Sequence, residues 1–304
     1  MLKNAIKKRI IISLMTIIIL FIIYIIPINK EYEHTITLNN NSNNIYLLDN
    51  NNNMLIRTSI ISNTNESLDK AKEIIDSLTI NSKSSNYINN KLKPIIPENT
   101  RILDISLDDK LLKINFNEEF LNISENQEEK LIESLIYSLT ELDDIDNIMI
   151  FIEGTLLTKL PHSNKNIPIL LNRDFGINKI YDITTLNDTS KVTIYYFTNI
   201  DNSYNAVPVT IFTNETSEKI EVIIKDLKSS NIYQTNLVSF LNNNAKLLDY
   251  EIEENKVKLN FNQYLLESFY DDSLLEEVKY AISNSIKDSL NINNIEILIN
   301  GEAI

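Results

Sequence analysis

One nineteen-residue stretch occurs twice in the chain, and this repetition limits the fold more than any other feature. Residues 99–117 read NTRILDISLDDKLLKINFN. Residues 244–262 read NAKLLDYEIEENKVKLNFN, aligned without a gap at a spacing of 145 with seven identical columns. Apolar residues alternate at Leu103, Ile105 and Leu107 and, past a charged turn at residues 108–110, at Leu112, Ile114 and Phe116. The second copy repeats the alternation at Leu248, Tyr250 and Ile252, then at Val257, Leu259 and Phe261. A period of two on both sides of a short turn predicts an antiparallel hairpin with one buried face. Asp104, Ser106, Lys113 and Asn115 then fall on the wet face.

The flanks repeat as well. Residues 45–48 and 55–61 are short apolar runs, answered by residues 194–197 and by Val207, Val209 and Ile211. Leu68, Ala71, Ile74, Ile75 and Leu78 form a helical stripe, with Ser67 as the expected N-cap and Asp69 in the first turn. Residues 214–227 align on residues 65–78 and carry the matching stripe Ile220, Ile223, Ile224 and Leu227. After the hairpin, Ser124 with Gln127 predicts a capping box ahead of the stripe Leu131, Ile132, Leu135, Ile136 and Leu139. Ser273 with Glu276 does the same ahead of Leu274, Val278, Ile282, Ile286 and Leu290. Residues 147–154, NIMIFIEG, match residues 294–301, NIEILING, as a closing strand ending on Gly154 or Gly301. The expected fold is α+β: two tandem ββαββαβ units, at 45–154 and 193–304, each with two helices on one face of a mainly antiparallel sheet. Residues 155–192 join them and carry apolar runs at 167–171 and 177–183 that predict partial packing.

The amino terminus reads differently. Lys3, Lys7, Lys8 and Arg9 precede residues 10–28, which carry no charge and are interrupted only by Ser13, Thr16 and Pro27. About 20 apolar residues span a bilayer, whereas a signal-peptide core takes about 7–15, and no small-x-small cleavage pattern follows here. The basic residues before the run and Glu31 and Glu33 after it place residues 1–9 in the cytoplasm. The expectation is an uncleaved single-pass transmembrane helix at 10–28, a polar, Asn-rich tether at 29–44 and the bulk of the chain outside the cell membrane. Net charge is −14, which opposes a nucleic-acid partner.

The chemistry-bearing residues are sparse. There is no cysteine, which excludes thiolate metal sites and thiol nucleophiles. Histidine occurs only at His34 in the tether and His162 in the joining segment, where each reads as a solvated loop residue, and no G-x-S-x-G elbow presents a serine nucleophile. Three glycines cannot build a dinucleotide or phosphate loop. The carboxylate pairs Asp143–Asp144, Asp271–Asp272 and Glu118–Glu119 sit beside turns, where acids are ordinarily solvated. No catalytic, cofactor-binding or metal residue is therefore assigned, and no cofactor is expected. Phe116, Phe261, Gly154 and Gly301 are expected to be structural repeat positions. Asp104 with Asn115 and Asp249 with Asn260 recur on the polar hairpin face. They form a candidate repeated surface, although copies of one ancestral unit share such residues by descent.

In this order, IPENTRILDISLDDKLLKINFNEEF, ESLIYSLTELDDIDNIMIFIEG, IPILLNRDFGIN (with Arg173 and Asn178), NNNAKLLDYEIEENKVKLNFNQYL and NIEILING resemble the GerM-type proteins of spore-forming bacteria, which carry two GerMN domains. The likeness runs from about residue 45 to the end. It implies a non-catalytic envelope scaffold whose domains resemble the ring-building modules of secretion channels. Such a protein would act in sporulation, in channel assembly between mother cell and forespore, and later in cortex formation and germination. It also implies envelope proteins with related ring-building domains, and peptidoglycan, as partners, and the mother-cell membrane as the location. This chain departs from the family in lacking the lipid-accepting cysteine of a lipoprotein. The reading from another class is an envelope glycan-binding protein or hydrolase using its acidic surface.

Overall fold

A computed structural model describes residues 42–50, 54–229, 236–266 and 272–304, together with the helical Met15. The expected membrane anchor and most of the tether lie outside these residues, and so does His34. No helix among the described residues is long and apolar enough to cross a membrane. The described residues from 42 onward form one compact body.

In the first repeat, β1 (Ser42–Asp49) and β2 (Leu55–Ile61) make an antiparallel hairpin, followed by α1 (Ser67–Leu78) and the short β3 (Leu92–Lys93). Then come β4 (Ile102–Asp108), β5 (Leu111–Phe116), α2 (Glu128–Leu139), β6 (Asn147–Ile152) and β7 (Thr155–Leu156). The second repeat has β8 (Ile180–Asp182), β9 (Ser190–Ile200), β10 (Ser203–Thr213), α3 (Lys219–Ser229), β11 (Leu247–Glu253) and β12 (Lys256–Phe261). It closes with α4 (Asp272–Leu290), β13 (Asn294–Ile299) and β14 (Glu302–Ala303).

The expectation of one sheet per repeat with helices on one face needs correction. Each repeat has two sheets, ordered β2-β1-β3 and β4-β5-β6-β7 in the first, β8-β10-β9 and β11-β12-β13-β14 in the second. The helices touch both: α1 contacts β1 and β4, and α4 contacts β9 and β13. A helix covered on one side shows one apolar stripe, but ten of the twelve residues of α2 are buried. Its second buried face is built of serines. Ser138 Oγ accepts from Tyr46 N at 2.9 Å, and Ser134 Oγ donates to Tyr46 O. These bonds fasten the helix to β1. In the second repeat Ser285 Oγ accepts from Tyr195 N at 2.9 Å in the same way. Small serines read as a solvent face in sequence; here they satisfy a strand's backbone under cover.

The hairpins form where the period of two places them, and Phe116 and Phe261 are fully buried. Both inner strands pair in parallel with the closing strands β6 and β13. One feature differs in both copies. The register breaks between Ile102 and Asp104 and again between Leu247 and Asp249. Each bulge shifts the strand's phase by one residue, so Ile102 and Leu247 sit opposite the buried Phe116 and Phe261. Leu103 and Leu248, expected inside, are 48% and 52% exposed.

Other boundaries shift too. The ladder with β2 runs back to Ser42, so residues 42–44 belong to β1 rather than to the tether. Within residues 155–192, β7 completes the first repeat's sheet and β8 joins the second's, while Ile167, Leu171 and Ile177 are buried. Ser67 is the first helical residue rather than the cap, and its hydroxyl meets Asp144. Ser124 precedes a 3-10 turn, bonding Asn126 at 2.7 Å, and caps no α-helix. Ser273 lies inside α4.

Candidate functional site

The richest polar cluster lies between the two repeats, and the segment joining them organises it. Asn172 Oδ1 accepts from Asp174 N at 2.9 Å, capping the 3-10 turn Arg173–Phe175. Gly176 follows at φ +80, where a Cβ would meet the Thr210 side chain at 3.1–3.2 Å. Only glycine fits that turn. The turn aims Arg173 inward, with its guanidinium 4.8 Å from the centre of the Tyr137 ring.

Arg173 joins one carboxylate from each repeat. Nη2 donates to Glu141 Oε1 at 2.7 Å, Nη1 to Asp288 Oδ1 and Oδ2 at 2.9 and 3.0 Å, and Nε to Thr140 Oγ1 at 2.9 Å. Glu141 and Asp288 are repeat equivalents, each six residues before its closing strand. Their tyrosine partners are equivalents as well: Tyr46 OH donates to Glu141 Oε1 at 3.0 Å and Tyr195 OH to Asp288 Oδ2 at 2.6 Å. Arg57 adds a second cation 3.5 Å from Glu141 and lies 5.3 Å from the Tyr280 ring centre. Burial pushes Glu141 up, but Arg173 and Arg57 outweigh it and hold its carboxyl at about 2. Tyr46 and Tyr195 are pushed well above the usual phenol range, first by burial and then by the neighbouring carboxylate.

A second polar knot stands where β2 runs along β10. Asn178, at φ +47 and 3% exposed, spends its whole amide there. Oδ1 accepts from Leu55 N at 2.8 Å and from Lys130 Nζ at 2.9 Å, while Nδ2 donates to Leu55 O at 2.9 Å and Pro208 O at 2.8 Å. Its own backbone N–H donates to Glu133 Oε2 at 2.9 Å. One asparagine thus ties a strand of the first repeat to a strand of the second.

The residues singled out from sequence lie elsewhere. Gly154 and Gly301 follow Glu153 and Asn300, all four at positive φ, in the two-residue turns after β6 and β13. Each turn amide is held by a recurring asparagine: Gly154 N donates to Asn115 Oδ1 and Gly301 N to Asn260 Oδ1, both at 2.9 Å. Asp104 stands opposite Asn115 in register, and Asn260 Nδ2 donates to Asp249 Oδ2 at 3.1 Å. The two pairs stay on their own hairpins. Among the described residues no three His, Cys, Asp or Glu side chains gather as metal ligands. His162 bonds through its backbone, its N–H donating to Glu128 and its carbonyl accepting from Asn164 Nδ2 at 3.4 Å. Tyr46/Tyr195, Glu141/Asp288 and Ser138/Ser285 were not singled out from sequence. Their signal there is recurrence at equivalent positions.

Both repeats match one family model, described as sporulation and spore germination, over residues 44–158 and 193–304. The chain belongs to the Germane family. It is similar to the spore germination protein GerM of Bacillus subtilis (strain 168), with 25% identity over 239 residues. That match covers 77% of this chain and 65% of GerM, a little under two thirds of the relative. Among solved structures, the tandem GerMN domains of GerM from Bacillus subtilis superpose with a TM-score of 0.76 at 23% identity, over 86% of this chain and 91% of that one. The doubled Germane architecture is therefore shared. The family to which the chain belongs is one described by sporulation and spore germination.

Proposed function

We propose that this Germane protein is a membrane-anchored, non-catalytic scaffold of the cell envelope, acting in sporulation. In this reading it supports assembly of the channel between mother cell and forespore, and with it cortex formation and germination. One observation carries the proposal: the buried polar groups between the repeats are tied to one another. Arg173 joins Glu141 to Asp288, and Asn178 joins Leu55 to Pro208. A catalytic constellation needs a nucleophile, acid or base facing a space for a reacting atom. A fastening needs satisfied partners, and Arg173, Glu141, Asp288 and Asn178 have them.

Joined repeats offer a partner two related surfaces in one fixed arrangement. Residues 10–28 would hold the protein in the mother-cell membrane, with residues 1–9 in the cytoplasm and the bulk outside. Tethering raises effective concentration, so individual contacts can be weak. A chain of net charge −14 calls for a partner of opposite charge. The partners proposed are envelope proteins bearing related ring-building domains, with peptidoglycan as a second contact.

The test is fractionation and co-purification from sporulating cells, with a fluorescent fusion followed in parallel. The expected result is a membrane-bound protein with an intact N-terminus that co-purifies with channel components and loses its localisation without them. A soluble mature protein beginning near residue 29 would remove the anchor. Unchanged localisation after loss of the channel would remove the partner. Muropeptides released from peptidoglycan by the purified protein would overturn the non-catalytic role.

A further inference from the structure

A cleft of about 840 Å³ opens beside the Arg173–Asp288 pair. The first repeat contributes Lys110, Asp146 and Asn147 to its wall, the joining segment Asn172, and the second repeat Asn255, Asn291 and Asn293. Lys110 and Asn255 are the repeat-related turns of the two hairpins, so the cleft exists only because the repeats are joined. It lies within the range of about 300–1,000 Å³ usual for small-ligand sites.

The wall's chemistry narrows the ligand. Five of its side chains are asparagines, each with an acceptor oxygen and two N–H donors. Part of that capacity is spent internally: Asn172 Nδ2 donates to Asn147 Oδ1 at 3.2 Å, and Asn255 Oδ1 accepts from Asn293 N at 3.0 Å. The side chains of Asn291, Asn293 and Lys287 have no hydrogen-bond or ion-pair partner among the described residues. Neutral groups that both donate and accept complement hydroxyls and amides. The wall's charges nearly balance, with Asp143, Asp146, Asp174 and Asp288 against Lys110, Arg173 and Lys287. On a chain of net charge −14 that balance offers a polyanion nothing. No aromatic side chain lines the cleft, and its apolar wall is confined to Leu142 and Ile145. That is room for a methyl group, not for a lipid chain.

We infer that the cleft between the two repeats binds a short neutral oligosaccharide carrying acetamido groups. The asparagine amides and Lys287 meet its hydroxyls and acetamido carbonyls, and Leu142 meets an acetamido methyl. The inference rests on the peptidoglycan contact proposed above, to which it gives a place and a sugar chemistry. It is separate from the scaffold role, since an anchored assembly protein works with the cleft empty or filled.

The test uses the full chain in detergent micelles, titrated calorimetrically with chitotetraose, the tetramer of N-acetylglucosamine. Cellotetraose, which lacks the acetamido groups, and heparin, a polyanion, are titrated in parallel. Saturable binding of chitotetraose is expected, with cellotetraose much weaker and heparin silent. Asn293→Ala combined with Lys287→Ala removes two exposed donors that the fold does not use. It should weaken binding by about tenfold, near what two net hydrogen bonds supply, and leave the melting temperature unchanged. Asn293→Trp, which fills the cleft, should abolish binding in a folded protein. Absence of saturable binding, equal binding of cellotetraose, preference for heparin, or binding indifferent to both variants would each overturn the inference.

Discussion

At the scale of single residues, Arg173 and Asn178 concentrate the constraint. Arg173 neutralises two buried carboxylates at once, so replacing it strands both. Breaking a buried pair by removing one partner costs about 3–5 kcal/mol, and Arg173→Met should lower unfolding stability by that order in urea at pH 7. Arg173→Lys should recover little, since an ammonium cannot reach Glu141, Asp288 and Thr140 together as the planar fork does. The loss should also depend on pH with a defined sign. Glu141 is held at about 2 in the folded protein, below the ordinary carboxylate value, so its contribution is full above about pH 4.3 and fades as pH falls toward 2. In Arg173→Met, Glu141 keeps Arg57 as its neighbouring cation and Asn44 and Tyr46 as donors but loses its shortest ion pair, burial raises its carboxyl, and acid relieves the penalty. The gap between the two proteins should therefore be widest near neutrality and narrow toward pH 2–3; a constant gap would contradict the assignment. Asn178→Ala leaves Leu55, Pro208 and Lys130 short of partners under cover and should cost at least about 2 kcal/mol, from the penalty for unmade buried hydrogen bonds.

Secondary-structure elements were the most legible scale in the sequence, because periodicity reports burial directly. The helical stripes and the inner hairpin strands lie where apolar spacing places them. What periodicity hides is a face built of small polar residues, which is why the second sheet over Ser134 and Ser138 was not foreseen. It also hides a one-residue phase change, as at the paired bulges: both Leu103 and its neighbour Ile102 are apolar, and only the ladder decides which turns inward. This gives a contrast within one strand pair. Phe116→Ala and Phe261→Ala should each cost about 3–5 kcal/mol as large-to-small changes in a closed core. Leu103→Ser and Leu248→Ser, on the exposed side of the bulges, should stay within about 0.5 kcal/mol. Large losses from the leucine changes and small ones from the phenylalanine changes would move the register by one residue. The polar knots were the least legible. Arg173 and Asn178 were visible only within the joining stretch that resembles the family, because a charged or amide residue in a loop ordinarily faces water and nothing in composition marks these as buried.

At the scale of the whole molecule, the question is whether two repeats make two folding units or one. Each repeat, at roughly 110 residues, is large enough to stand alone by the usual size of domains. Three features argue that they do not act separately. β2 of one repeat runs along β10 of the other, one asparagine bonds to both strands, and one arginine joins a carboxylate from each half. Opening either repeat alone would expose Glu141 or Asp288 without its cation and leave the backbone of Leu55 or Pro208 unpaired, so partial unfolding carries most of the interface cost. Structures of this kind unfold as a unit, whereas weakly coupled segments open independently. Differential scanning calorimetry of the native protein should accordingly show one transition whose van't Hoff and calorimetric enthalpies agree. In the double variant Arg173→Met/Asn178→Ala, which leaves the shared apolar core untouched and removes only the polar ties between the repeats, the transition should split in two, one for each repeat. Two transitions already present in the unaltered protein would show that the buried polar contacts between the repeats hold geometry without coupling stability.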